Sequence, residues 1–178
     1  MSTSRPSRQP SPSDGWWAVE TPVGRLALAG DDDALHFLRL PGDSDGEQLA
    51  ASGREHGRPS SVAKAEAQLH AYFAGELTSF DLPLGPTGTA FQQKVWWALA
   101  EIPFGETRSY GEIARKVGNP KACRAVGMAN NRNPIALIIP CHRVIGANGS
   151  LTGYGGGLAL KERLLAHERS VLAGREQR

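Results

Sequence analysis

The chain has 178 residues, of which 40% are hydrophobic and 21% charged, with a net charge of +2, enough length for a real core in one domain or two small ones. Two cysteines exclude a disulfide-rich scaffold and a four-cysteine zinc site, and Cys123 and Cys141 lack the spacing of a ligand pair. The charge is uneven: residues 1–89 carry seven Lys/Arg against twelve Asp/Glu (−5), and residues 90–178 carry thirteen against six (+7), so a polyanion partner for the second half stands beside a merely uneven solvated surface.

Residues 1–14 are rich in Ser, Pro and Arg and read as a disordered tail. They hold no apolar secretory core, and no later run reaches transmembrane length, so a cytoplasmic protein without a membrane partner is expected. Trp16 to Glu20, "RLALA" and "ALHFLRL" read as three strands joined by the turns "TPVG" and "GDDD", a small antiparallel meander. Residues 41–60 read as a Gly/Ser/Asp-rich loop. Val62 to Ala74 is expected to be a helix capped by Ser61, with Val62, Ala65, Leu69 and Phe73 as its apolar stripe. A short strand in "SFDLPLGPTGT" then leads to a linker at 85–89. These features divide the chain into an N-terminal α/β domain (15–84), a C-terminal domain (90–170) and a flexible C-terminus (171–178).

The second half reads as mainly helical. Phe91 to Glu101 places Phe91, Val95, Trp96 and Leu99 at helical spacing. "SYGEIARKV" carries a capping box, Ser109 with Glu112 three residues on. Gly118 ends that helix, and Asn119-Pro120 restarts one that runs to Asn130. Two short helices across a tight turn resemble a helix-turn-helix. The last helix is expected from Leu158 to about Glu168. The fold class is therefore α+β: a small N-terminal domain with a short antiparallel sheet, then a mainly helical domain with a helix-turn-helix.

Three groups of residues could carry chemistry. On the last helix Leu158, Leu164 and Leu165 define a buried face, and Lys161 and Glu168 fall on or beside it. Buried charges are costly unless paired, whereas charges at a stripe edge snorkel; both readings stand for Lys161 alone. In "IPCHRVI" a cysteine precedes a histidine. A thiol needs a base to become a thiolate, and His142, held by a carboxylate such as Glu168, could serve directly or through a water. An inert buried cysteine beside a surface histidine fits the same seven letters. On the helix from Pro120 to Asn130, Ala122, Ala125, Val126 and Ala129 form a slim inner face. Lys121, Arg124 and Met128 share the outer one, a basic face suited to DNA or to plain solvent.

Taken together, "IPCHRVIG", "SYGEIA", "RAVGMANNRNP" and "TGYGGGLALKERLLAHE" resemble, in order and spacing, the motifs of the O6-alkylguanine-DNA alkyltransferase family over residues 90–168. The resemblance implies a stoichiometric repair reaction on double-stranded DNA carrying O6-alkylguanine, with O4-alkylthymine a second candidate substrate. Cys141 would accept the alkyl group, and His142, held by Glu168, would be its water-mediated base. Tyr110 would serve guanine N3 and Lys161 would support that proton transfer, while Asn133 would order the active-site loop. Arg124 would insert in place of the flipped nucleotide, with Lys121, Met128 and Tyr154 also facing DNA. Val144, Gly155 and Asn130 would line the base pocket. It implies a monomer bound to DNA through its C-terminal domain, with no cofactor and no metal. Gly155 stands where some relatives carry serine, and Asn130 where some carry an apolar residue. Two rivals remain: a non-catalytic lesion-binding module of the same fold, against which Cys141 itself argues, and a cysteine hydrolase, against which the basic helix-turn-helix argues.

Overall fold

The computed structural model describes residues 15–54 and 56–177. The expected tail at 1–14 lies outside the described residues. The N-terminal meander forms as the alternation predicts. Strands β1 (Trp17–Thr21), β2 (Gly24–Gly30) and β3 (Leu35–Arg39) pair antiparallel in the order β1-β2-β3. Leu26 and Leu28 face one side of β2 and Ala27 and Ala29 the other. The leucines join the main core, and the alanines join a smaller cluster with Trp16, Phe37 and Ala50.

The segment read as a loop holds a short helix, α1 (Gly46–Ala51), which covers the alanine face of the sheet. Its polar sequence hid it, because Leu49 and Ala50 are the apolar residues it brings to that cluster. Helix α2 (Ser60–Phe73) begins two residues early, at Ser60 with Pro59 in the cap position, and Ser61 is a buried helical residue rather than the cap. Tyr72, not Phe73, completes its buried stripe after Val62, Ala65 and Leu69. The expected strand in "SFDLPLGPTGT" reduces to one isolated bridge between Leu35 and Leu84.

Helix α3 (Ala90–Ala100) opens on a capping box between Thr89 and Gln92, an arrangement that offers two of the four free backbone donors a partner and is worth about 1 kcal/mol. It buries Val95, Trp96 and Leu99, with Phe91 only partly covered. The two-residue strand β4 (Arg108–Ser109) runs straight into α4 (Tyr110–Lys116), whose Ser109/Glu112 capping box is present. Helix α5 (Cys123–Asn131) starts three residues later than Asn119-Pro120 suggests. Asn119 instead accepts from the Ala122 amide in a turn, and α5 has no side-chain cap. Lys121 therefore sits in the turn ahead of α5 and not on it. Helices α4 and α5 pack on α3, and the Trp96 indole ties α3 to the Ala129 carbonyl at 2.8 Å.

A 3-10 turn (Cys141–Arg143) leads to β5 (Val144–Ile145), which pairs parallel with β4. The last helix, α6, runs from Leu158 to Glu176, well beyond Glu168. Residues expected to be a flexible C-terminus continue it, because Val171 and Leu172 pack on the core and Arg175 reaches the Gly75 and Glu76 carbonyls. Leu158, expected in the buried stripe, is 49% exposed at the helix start, and Leu160 is buried in its stead. One core joins residues from Trp17 to Leu164, so both halves pack against each other. Among the described residues no helix is long and apolar enough to cross a membrane.

Candidate active site

Cys141 lies on the 3-10 turn, 4% exposed, at the wall of a cavity of about 610 Å³. The turn is set by a strained loop before it. Leu137 has φ of 71°, a conformation a bulky residue adopts only when its surroundings hold it there. The surroundings are Asn133, whose side-chain amide donates to the Ile139 carbonyl at 2.7 Å and whose oxygen accepts from the Ile135 amide at 3.0 Å. Asn133 thus spans the loop and belongs to the same cavity wall. Burial raises the Cys141 thiol above its ordinary pKa. The Asn133 side chain, the charge of Lys161 and the Leu137 amide pull it back, while Asp43 adds to the rise. At rest the sulfur keeps its proton.

Behind Cys141 the chain builds a closed polar cluster around Glu168, which is fully buried. His142 Nε2 meets Glu168 Oε1 at 2.7 Å. The carboxylate accepts only, so Nε2 carries the hydrogen and Nδ1 of the neutral ring keeps its lone pair. That Nδ1 is buried and makes no hydrogen bond within the protein. Arg143 donates from Nε and Nη2 to the same carboxylate at 2.9 to 3.2 Å, and from Nη1 to the Ile102 carbonyl at 2.6 Å. The Gly105 amide and the Tyr72 hydroxyl complete the set at 2.9 and 2.8 Å. Burial alone would raise the Glu168 carboxyl, but the hydrogen bond and charge of His142 and the fork of Arg143 outweigh it and hold the group down to about 2. Burial likewise lowers His142 despite its carboxylate partner, so the ring is a neutral base at neutral pH.

Lys161 is fully buried and donates to the carbonyls of Val144 and Thr152. Burial brings its ammonium down to about 8, partly offset by Cys141. Tyr110, at the start of α4, donates to the same Thr152 carbonyl at 3.4 Å. Lys161 and Tyr110 therefore meet through one shared acceptor.

The cavity in front of the sulfur is different in kind. Asn130, Asn133, Ala136, Tyr154 and Gly155 line it from the C-terminal half. Arg39, Leu40 and the loop from Gly42 to Asp45 close it from the N-terminal half. Both amide atoms of Asn130 and the Tyr154 hydroxyl are buried without a partner. Burial raises the Asp43 carboxyl above its ordinary value, although its Oδ2 accepts from the Leu40 amide. Val144, expected to line this space, does not border it; it is buried in β5 and its carbonyl is taken by Lys161. Arg124 and Met128 lie on the exposed face of α5, Met128 at 58%, with Lys121 exposed just ahead of them. Cys123 is exposed beside them, away from the cluster. Ala125, expected on the inner face, is exposed too.

Sequence reasoning missed Tyr72, Arg143, Gly105 and Asp43. Arg143 was visible inside "IPCHRVI" as the residue after His142, and the signal was a second basic side chain in an otherwise apolar run. Tyr72 sits three residues after Leu69, so its burial could be read, but not its bond to a residue 96 positions away. Nothing in "GDSD" marks Asp43 as a cavity residue.

Two family models match the chain. Residues 16–86 match the 6-O-methylguanine DNA methyltransferase, ribonuclease-like domain, and residues 90–170 match the 6-O-methylguanine DNA methyltransferase, DNA binding domain. A methylated-DNA–protein-cysteine methyltransferase of Methanosarcina acetivorans is 56% identical over 151 residues, covering 85% of this chain and 96% of that protein. One from Mycobacterium tuberculosis is 55% identical over 154 residues, covering 85% and 90%. The crystal structure of Mycobacterium tuberculosis OGT in complex with DNA superposes with a TM-score of 0.78 at 51% identity, over 88% of this chain and 94% of that one.

Proposed function

The chain belongs to the 6-O-methylguanine DNA methyltransferase family, a premise from which we propose that Cys141 is its alkyl acceptor. The activity is DNA repair by transfer of a methyl group from methylated DNA to a cysteine of the protein itself. The substrate of this reading is O6-alkylguanine in double-stranded DNA, with O4-alkylthymine second, bound through the C-terminal half by a monomer. One observation carries the residue assignment. Cys141 borders the cavity, and its neighbour His142 presents a free Nδ1 lone pair while Glu168 holds the far nitrogen.

The alkyl carbon inside a duplex is out of reach, so the base is flipped into the cavity, and Arg124 on the exposed face of α5 fills the gap. The Cys141 proton passes to His142 Nδ1 through a water. The sulfur attacks the alkyl carbon, the bond from carbon to O6 breaks, and its electron pair stays on the guanine. Tyr110 gives N3 a proton. Lys161, which shares the Thr152 carbonyl with Tyr110, stabilises the charge left on the phenol oxygen. Thiol and aryl ether become thioether and unmodified guanine. A thioether lies outside the reversible thiol chemistry of cysteine, so each chain acts once. Asn133 keeps the loop that presents the sulfur, and Tyr154, Gly155 and Asn130 form the wall against the flipped base.

The test uses DNA carrying methyl-labelled O6-methylguanine. Label is expected on the Cys141 peptide, reaching one equivalent and stopping there. Cys141→Ala is expected to abolish transfer while DNA binding persists. Tight binding without label would instead establish a lesion-binding module, and label on Cys123 would overturn the assignment.

A further inference from the structure

The machinery assigned above comes from residues 110–168, yet the catalytic carboxylate has a partner far outside them. Tyr72, on α2 of the N-terminal half, donates its hydroxyl to Glu168 Oε1 at 2.8 Å, the same oxygen that receives His142 Nε2 at 2.7 Å. We infer that Tyr72 is a positioning residue for the reaction: its hydroxyl competes with His142 for one carboxylate oxygen and so sets how strongly His142 holds a proton.

Tyr72 is almost fully buried, and its ring is fixed on every side. It stacks on Phe80 at 5.5 Å and meets Phe73 and Phe104 edge-on at 5.1 and 5.7 Å. The His167 ring lies at 5.2 Å, and its Nε2 binds the Tyr72 carbonyl. Such a clamp leaves the hydroxyl one direction to point, toward Glu168. Burial and the neighbouring carboxylate raise the phenol far above its ordinary range, so it is a donor at every working pH.

The charge around the shared oxygen comes from several elements. His142 and Arg143 approach from the 3-10 turn, and Lys161 and His167 lie on α6 with Glu168 itself. The loop after α3 contributes the Gly105 amide and the Ile102 carbonyl. Arg143 has both oxygens and Gly105 has Oε2, whereas Tyr72 and His142 meet on Oε1. A hydrogen bond to a carboxylate drains charge from it. Without the Tyr72 hydroxyl, Oε1 binds His142 more strongly and the imidazolium gains. The acidic limb of alkyl transfer then moves to higher pH. The N-terminal half in this way tunes chemistry whose other groups lie in the C-terminal half.

The inference rests on the proposed roles of Cys141 and His142, and the experiment separates the two. Transfer of labelled methyl to Cys141 is measured against pH for wild type, for Tyr72→Phe and for a variant with fluorotyrosine placed at position 72. Tyr72→Phe is expected to raise the midpoint of the acidic limb by roughly half a pH unit or more, with DNA affinity unchanged. Fluorotyrosine, a stronger donor that keeps the hydroxyl and the packing, is expected to lower it. Opposite shifts support the inference, and the fluorotyrosine arm alone does so if Tyr72→Phe fails to fold. A purely structural Tyr72 would change thermal stability and leave both midpoints in place, which overturns it. A wild type that never labels Cys141 fails earlier, at the assignment of the acceptor, and takes this inference with it.

Discussion

The two sides of Cys141 are built on opposite plans. Behind it, Glu168 takes hydrogen bonds from four residues, and every one of those donors is fixed by packing or by a second bond. In front of it, Asn130 and Tyr154 bury polar atoms that have no partner, and the wall includes Asp43 with a raised pKa. A protein that minimised its own free energy would satisfy both sides. In the proposed reaction His142 and its carboxylate must hold one geometry before DNA arrives, so that side is complete in advance except for the His142 Nδ1 lone pair, which is left for the thiol proton. On the same proposal the flipped base would bring its own donors and acceptors to the other side, where buried polar atoms stand without partners.

The comparison breaks most visibly at Glu168. Glu168→Ala leaves the Arg143 charge, the Tyr72 hydroxyl and the His142 ring buried without their acceptor, and is expected to lower stability by roughly 3–5 kcal/mol. Asn130→Ala removes an amide that bonds to nothing in the protein, so its stability change is expected to be close to zero. Chemical denaturation of both variants checks the pair, and equal losses would mean the two sides do not differ. Acid is expected to act on the same side. Glu168 falls from 4.5 to about 2 on folding and His142 is lowered from 6.5. A depressed folded pKa gives stability that is present above the unfolded value and lost as pH falls. Melting temperature is therefore expected to decline below about pH 6.5, when His142 begins to bind a proton in the unfolded chain, and more steeply below 4.5 as Glu168 joins. A flat profile from pH 7 to 4 would contradict the cluster as described.

Which of these features could be read in advance follows from range. The capping box Ser109/Glu112 is a four-residue event, and it forms where the sequence places it. The alternation of "RLALA" needs only a sheet to face, and β2 has one. Lys161 and Glu168 stand on the α6 stripe because helical spacing is local, and both prove fully buried. The start of α5 departs from the expected one because Asn119-Pro120 suits a turn as well as a cap, and only the packing of α4 and α5 decides. The bond of Tyr72 to Glu168 and the place of Asp43 in the cavity wall were not legible. Their importance arises when distant segments meet at Glu168 and at the cavity, and no local pattern encodes that meeting.

On the open side the expected effects are smaller and concern DNA more than folding. Arg124 is exposed on the first turn of α5, and replacing it costs the fold little. If Arg124 fills the unstacked duplex as proposed, Arg124→Ala is expected to slow transfer from duplex DNA by about tenfold or more, a loss of at least about 1.4 kcal/mol. Reaction with free O6-methylguanine base needs no flipping and is expected to stay near the wild-type rate. Parallel rate measurements on the two substrates decide this, and equal losses would place Arg124 in the chemistry instead.

A modest effect is expected where the two halves touch across the cavity. A Cβ placed on Gly155 would lie 2.4 Å from Asp43 Oδ1, too close for any real contact. The obstacle is the end of a side chain and not backbone, so Asp43 can swing aside, at the expense of its bond to the Leu40 amide. Gly155→Ser is therefore expected to lower stability by about 1 kcal/mol, a few degrees in melting temperature, with transfer slowed only modestly. The contact makes a sharper claim than the single variant does. In the Asp43→Ala background the added hydroxymethyl has room, so Gly155→Ser is expected to be nearly neutral there, a coupling that a double-mutant cycle measures directly. An undiminished loss in that background would show that the serine acts on the backbone of the glycine turn itself, and that the loop from Gly42 to Asp45 closes the cavity without gripping it.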